Sequence, residues 1–395
     1  MSGPTARLNP EGLLASTLLA FLATAGLFYV NIMSALVDGL VTGLGFSTAQ
    51  AGNVAAANVY GAACGALLAV FIVTHIRWRP VALVLLMGLI AIDVGSMSVH
   101  AATLLTTVRF FHGLLGGLLV GVSYSVMARL KSPDRAFGML LVVQYGLGGL
   151  GVMWLPKLVP LFGAGVLFLA LTAFSAVALA MLPFIPAYPP RDAQALAAHR
   201  ESVERRSPVL VIAALAAMFL FQAGNMGLGA FVFGLARQAG LDADFASDAV
   251  GYATWIGVLG AVLCVVLGTR IGRFWPLLAA MAVTLAGSWA FQHSSVGAVY
   301  ALANSLTSAA WAFVVPYLFG MCAQMDRNGR LTVLGGFCSK MGLATGPRVA
   351  GLLLLHHDYS LLINLTVGVL FVCALVALPT ARFLDRKGGA VARSP

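Results

Sequence analysis

The sequence predicts an all-α membrane protein, with twelve transmembrane helices in two pseudo-symmetric six-helix halves. Three observations carry this prediction. First, the 395 residues are 60% hydrophobic and only 9% charged, whereas a soluble domain carries about 25% charged residues. A soluble chain of this length could not hide so much apolar surface, so lipid must be its solvent. Second, twelve apolar runs reach the roughly 20 residues that cross a bilayer. Third, the chain repeats itself at an offset of about 195 residues.

The polar opening MSGPTARLNPEG precedes an apolar run at 13–37. That run is too long for a signal-peptide core and reads as an uncleaved first span. Spans 2 to 6 follow at 49–73, 79–99, 102–127, 136–156 and 160–185. The stretch IPAYPPRDAQALAAHRESVERRS (185–207) has the prolines and mixed charges of a linker. Spans 7 to 12 are expected at 208–235, 247–269, 274–293, 296–323, 332–355 and 359–382. The chain thus divides into a half at 1–185, a linker at 186–207 and a half at 208–395.

Of the 23 Lys and Arg residues, eighteen fall on one side of this topology and only Lys157 and Arg237 on the other. Arg109, Lys340 and Arg348 lie within spans. Lys and Arg gather on cytoplasmic loops, so both termini and the linker are expected in the cytoplasm, with the protein in a bacterial inner (plasma) membrane. The formal charge of +10 then belongs to loops at a membrane surface, not to a nucleic-acid surface. The five cysteines all lie in apolar runs without a CxxC pair and read as small buried hydrophobes.

The repeat is visible in three places. FSTAQAG (46–52) opens span 2 and FASDAVG (245–251) opens span 8. THIRWRP (74–80) follows span 2, and TRIGRFWP (269–276) follows span 8. DRAFGMLLVVQYGLG (134–148) begins span 5, and GRLTVLGGFCSKMGL (329–343) begins span 11, aligning Tyr145 with Lys340. Repeated halves about an axis along the membrane normal place a site at their interface, near the midplane.

Over essentially its whole length the chain resembles the major facilitator superfamily. GTRIGRFWP (268–276) keeps Arg270, Gly272 and Arg273 of that family's G-x-x-x-D-R-x-G-R-R loop pattern, and THIRWRP keeps Arg79 and Pro80. Thr74 and Thr269 stand where the family usually has an acid, which argues against an acid-based gate but leaves a hydroxyl able to cap a helix end. RFFHGLLGG (109–117) matches the R-x-x-x-G motif of span 4 through Arg109 and Gly113. In proton-coupled members that arginine is associated with coupling. QYGLGGLG (144–151) lacks the proline of the family's antiport motif, which weakens a drug/proton exchanger reading. The resemblance implies that spans 1, 4, 7 and 10 line a central cavity and that spans 3, 6, 9 and 12 stand outside it.

Ionisable groups at membrane depth are costly, by about 2.5–3.5 kcal/mol on insertion scales for a lysine. Lys340 lies roughly 12 Å into span 11 and is expected to face the cavity as a cation for an anionic substrate; a structural ion pair is the alternative. Arg348 reads as an outer-end anchor beside Pro347, whose lost hydrogen bond makes a hinge or a static kink. Arg109 stays charged, so it reads as an electrostatic anchor. His112, near a turn away, is open between a titrating group and a packing residue. Asp38, at the outer end of span 1, is open between a protonation site and an interfacial residue. Asp93 in span 3 is expected to support packing or to pair with a neighbouring donor.

The uncharged polar residues Asn31, Gln144, Tyr145, Gln222, Asn225 and Asn304 each avoid lipid, and with Trp311 and Trp255 they suggest a mixed polar and aromatic site. Helix–helix hydrogen bonding is the alternative for each. The substrate-binding set is therefore Arg109, Lys340, Asn31, Tyr145, Gln144, Gln222, Asn225, Asn304 and Trp311. The coupling set is Arg109, His112 and Asp38, and the gating set is Thr74, Arg79, Thr269, Arg270, Arg273 and Pro347.

With cations outnumbering acids in the spans, the expected function is a secondary transporter moving a small organic anion by alternating access, proton-coupled and monomeric. The alternative is a proton-driven exchanger for amphipathic or cationic compounds. No phosphate-binding Walker loop occurs, so ATP is not the expected energy source. No nucleophile, acid pair or metal cluster converges to suggest an enzyme, and neither a cofactor nor a metal is expected.

Overall fold

In the computed structural model the described residues are 9–10, 12–73, 76–127, 130, 133–186, 188, 208–267, 271–325 and 330–391. Ten helices among them are long and apolar enough to cross a membrane. Two further crossings depart from that pattern for separate reasons. Span 1 is broken into Leu13–Ala25, Phe28–Asn31 and Met33–Leu44, so no piece crosses alone. Span 11, Arg330–Leu353, is one 24-residue helix, and its Lys340 and Arg348 dilute its hydropathy. Twelve crossings put the start of span 1 and the end of span 12 at one face, the terminal face; the other is the far face.

Spans 2, 3 and 4 occupy Thr48–Ile72, Trp78–Ser96 and Ala102–Met127, within three residues of the expected limits. Span 2 starts where the sequence says it must. Ser47 accepts a hydrogen bond from the backbone N–H of Gln50 at 3.2 Å, and the Gln50 side chain accepts one from Ser47 N–H at 2.9 Å. This capping box satisfies two of the orphan donors of the first turn. At the start of span 8 (Ala243–Leu267), Asp242 accepts from Phe245 N–H at 2.9 Å.

Span 5 runs over Pro133–Phe162, beyond its expected end at 156. Pro156 and Pro160 deprive two carbonyls of their partners without stopping the helix, so Lys157 sits on a helix rather than in a loop. Span 6 (Gly165–Met181) follows a turn at Gly163, whose φ of 76° suits glycine. Spans 9, 10 and 12 are Phe274–Ala290, Gly297–Gln324 and Tyr359–Val391. Of the 186–207 linker only 186 and 188 are described.

Span 7 is also broken, into Pro208–Gly229 and Val232–Gln238. The break mirrors that of span 1. Ile32 has φ −110° and ψ 19°, and Phe231 has φ −115° and ψ 15°. The two lie 199 residues apart, the same offset as Phe46 from Phe245. The internal repeat thus extends to an irregular backbone feature, in neither case placed on a proline or glycine.

Within the first half, spans 2 and 4 pack closely. A methyl group on Gly61, Gly65, Gly113 or Gly117 would overlap the backbone of the opposite helix, the close approach that small residues allow in membranes. Between the halves, span 2 packs on span 11 and span 5 on span 8.

Candidate functional site

A cavity of about 220 Å³ lies between the halves, from the midplane towards the far face. Asn31 and Ser34 of span 1 and Gln144 and Tyr145 of span 5 line it from the first half. From the second half come Asn225 beside the break of span 7, Thr254 of span 8, and Asn304, Ser308 and Trp311 of span 10. Ser288 of span 9 and Thr366 of span 12 also reach it, which corrects the expectation that those spans stand outside. No span 4 residue does. The break in span 7 lets Asn225, Leu228, Gly229 and Val232 share one wall.

Six of the nine residues expected to bind substrate line this cavity: Asn31, Gln144, Tyr145, Asn225, Asn304 and Trp311. Gln222 lies just behind it. Its Oε1 accepts from the Trp311 indole N–H at 2.7 Å, and its Nε2 donates to Ser339 Oγ at 2.8 Å. This relay fixes the Trp311 ring, and it joins span 10 to span 7 and to span 11, one residue from Lys340. Trp255 donates instead to the Gly146 carbonyl at 3.1 Å, across the halves.

Arg109 and Lys340 are not among the lining residues. Arg109 is 0% exposed inside the first half. Its guanidinium binds Asp93 at 2.7 Å, the Ile92 carbonyl at 3.2 Å and Ser96 Oγ, and stacks 4.8 Å from the Phe168 ring. His112 Nε2 lies 3.2 Å from Asp93, and its Nδ1 lies 2.8 Å from the Asn58 amide nitrogen. That nitrogen also donates to the Arg109 carbonyl at 3.2 Å, so it is a donor, Nδ1 accepts, and the ring proton sits on Nε2 facing Asp93. Asp93 is fully buried and binds the Arg109 guanidinium and the His112 ring at once. The cluster is closed: one carboxylate, one guanidinium and a histidine held in a defined tautomer. A charge satisfied in this way does not reach across to a solute.

Lys340 is half-buried and, among the described residues, makes no hydrogen bond or ion pair. Arg348 is exposed near the far end of span 11. Pro347 is buried at the contact between halves, where its carbonyl faces Gly52 of span 2.

The far face is where the halves are tied. Asp38 pairs with Arg237, each about a turn and a half beyond its own span's break and again 199 residues apart. Lys157 reaches Asp248 at 2.7 Å and Asp244 at 3.9 Å. Thr48 donates to the Gly351 carbonyl at 3.0 Å, and deeper in, Tyr60 and Thr345 hydroxyls meet at 3.0 Å. Arg237, expected in a loop, lies on the short helix of span 7.

At the terminal face Arg79 donates to the Ile185 carbonyl within the first half. Arg273 donates to Gln324 at 2.8 Å. The carboxylate that its loop lacks comes from Asp385 of span 12, which accepts from the N–H groups of Arg273 and Phe274 at 2.8 and 2.9 Å. Thr74, Thr269 and Arg270 of the expected gating set lie outside the described residues.

No family model matches the chain, and no curated protein sequence does. Solved structures do. A variant of the nucleoside transporter NupG matches with a TM-score of 0.69 at 15% identity, covering 94% of this chain and 100% of that one. The D-xylose-proton symporter matches with a TM-score of 0.69 at 15% identity, covering 94% of this chain and 97% of that one. A bacterial homologue of the human lysosomal transporter Spinster, inward-facing and occupied, matches with a TM-score of 0.68 at 14% identity over 94% and 96%. At these identities the likeness establishes the fold alone, in agreement with the twelve-helix arrangement expected from the sequence.

Proposed function

We propose that this chain is a secondary transporter that moves a small organic solute across a membrane by alternating access. One observation carries the reading: an uncharged polar cavity sits between two repeated halves, and at the far face ion pairs cross between them. Halves that rock about such a site expose it to each side in turn. The likeness to transporters of nucleosides and of xylose with protons supports it. The moving bodies are residues 1–185 and 208–395, joined by the 186–207 linker, and the protein works as a monomer in a bacterial inner membrane. The charge asymmetry of the loops supports a cytoplasmic terminal face, which puts the ion pairs between the halves on the outer side.

Proton coupling fits the first half, where Asp93 and His112 are the titratable groups beside Arg109. An organic anion is a second reading of the solute, favoured by the unpaired Lys340. The exchanger for cationic compounds has less support, since no carboxylate lines the cavity among the described residues. Counterflow in proteoliposomes tests the transport reading. An unlabelled solute trapped inside should drive uptake of its labelled form, and a pH gradient should bias that uptake. A chain that binds solutes but exchanges none would be a receptor, and the proposal would fall.

A further inference from the structure

The lining of the cavity says more about the solute than the charge balance of the spans does. Among the described residues it holds no Lys, Arg, His, Asp or Glu. Asn225 spends one amide N–H on the Phe221 carbonyl at 2.8 Å, and Asn304 spends one on the Tyr300 carbonyl at 2.9 Å. Only an amide nitrogen can donate to a carbonyl, so both Oδ1 atoms remain as acceptors at the wall. Trp311 has likewise spent its N–H on Gln222, leaving its ring face to the cavity beside Tyr145. Asn31 Nδ2, in the opposite half, is buried without a partner.

An ionised carboxylate or phosphate is acceptor-only. In this cavity it would meet two amide oxygens and, among the described residues, no cationic side chain, and an unpaired ion in a low-dielectric site is costly. Arg109 cannot supply that charge, because Asp93 already holds it. Hydroxyl or N–H groups, in contrast, would satisfy Asn225 and Asn304, while a ring or carbon face would stack on Trp311. We infer that the cavity takes an uncharged solute bearing at least two O–H or N–H donors and one flat or apolar face. This rests on the transport reading and specifies its substrate class.

The test titrates the purified full chain by calorimetry with matched pairs, xylitol against xylonate and uracil against orotate. The neutral member of at least one pair should bind about tenfold more tightly than its anion. Asn225→Leu and Asn304→Leu should each weaken that binding by about tenfold, at an unchanged melting temperature, because each strands a solute donor. Lys340→Ala should change it by less than about twofold. Tighter binding of the anions, their loss in Lys340→Ala, or no binding of either neutral probe overturns the inference. Counterflow of the same probes separates the two claims. Neutral binding without exchange sinks the transport reading and leaves the solute class intact, whereas exchange confined to the anions does the reverse.

Discussion

Two clusters of buried polar groups, one in each half, are spent in opposite ways. In the first half Arg109, Asp93, His112, Asn58 and Ser96 close on one another inside a single six-helix body, although the Arg109 Nε stays buried without an acceptor. In the second half Asn225, Asn304 and the Gln222–Trp311 relay satisfy one end of each side chain and leave the other end or the ring face to the cavity. The first pattern makes a body stiff, since a charge that is paired and hydrogen-bonded has one good geometry. The second makes a surface receptive. The proposed rocking of two bodies about a solute needs both properties, a stiff cluster within one half and a receptive wall between the halves.

The largest effect should come from opening the closed cluster. Asp93→Leu leaves the Arg109 guanidinium buried without a countercharge, a loss of about 3–5 kcal/mol for a broken buried pair. Thermal unfolding in detergent should show a steep fall in melting temperature, and Asp93→Leu combined with Arg109→Leu should recover most of it, since replacing both partners by apolar groups can be close to neutral. If Asp93→Leu keeps its melting temperature and loses only the pH dependence of transport, the cluster is a coupling site and not the stiffening element.

Next in size is Gly113→Ala. Its methyl would press on the Asn58 carbonyl across spans 2 and 4. Overpacking costs about 1–3 kcal/mol, and here the displaced residue is the one that fixes the His112 tautomer. The melting temperature should drop by less than in Asp93→Leu. An unchanged value would mean that the two helices have room to part, which their backbone contact denies.

Gln222→Leu probes the receptive half. It removes the Trp311 partner and leaves Ser339 without its donor, at about 1 kcal/mol for a typical net hydrogen bond. Binding of the neutral probes should weaken by about fivefold, with the melting temperature nearly constant. Should stability fall while affinity holds, the relay braces spans 7, 10 and 11 and has no part in orienting the Trp311 ring.

Much of this was legible before any coordinates. Span 4 falls at 102–127 as expected, because its apolar run has clear ends, and the polar residues that would be costly in lipid did collect at the interface in six of nine cases. What could not be read is which face a residue takes. These helices are apolar nearly all round, so position along a span fixes depth but not direction. Arg109 is such a case: its depth suits the cavity, but its side chain points to Asp93. The breaks at Ile32 and Phe231 carry no local signal, and the cavity roles of Ser288 and Thr366 follow from packing between distant spans. One clue was available: Asp38 and Arg237 share the repeat offset and have opposite charge, as two groups meeting across an approximate two-fold axis must if they are to attract.

That pair gives the smallest effect and the finest comparison. Arg237 is half-exposed at the far face, so its bond with Asp38 is worth about 0–1 kcal/mol and weakens with salt. Such a term cannot hold the fold, yet it falls wholly on the equilibrium between far-face closure and opening, where about 1 kcal/mol shifts a two-state ratio by roughly fivefold. In a background with the five native cysteines replaced, Ser34→Cys places a thiol on the cavity wall. A membrane-impermeant maleimide added from the far face should label it faster in Asp38→Asn or Arg237→Gln. The exchanged pair, Asp38→Arg with Arg237→Asp, should restore the slow rate, because the approximate symmetry lets the two charges trade places. If the exchanged pair labels as fast as the single variants, the interaction depends on the individual side chains and not on the repeat, and the closure must rest instead on Lys157 with Asp248 and on the packing of span 2 against span 11.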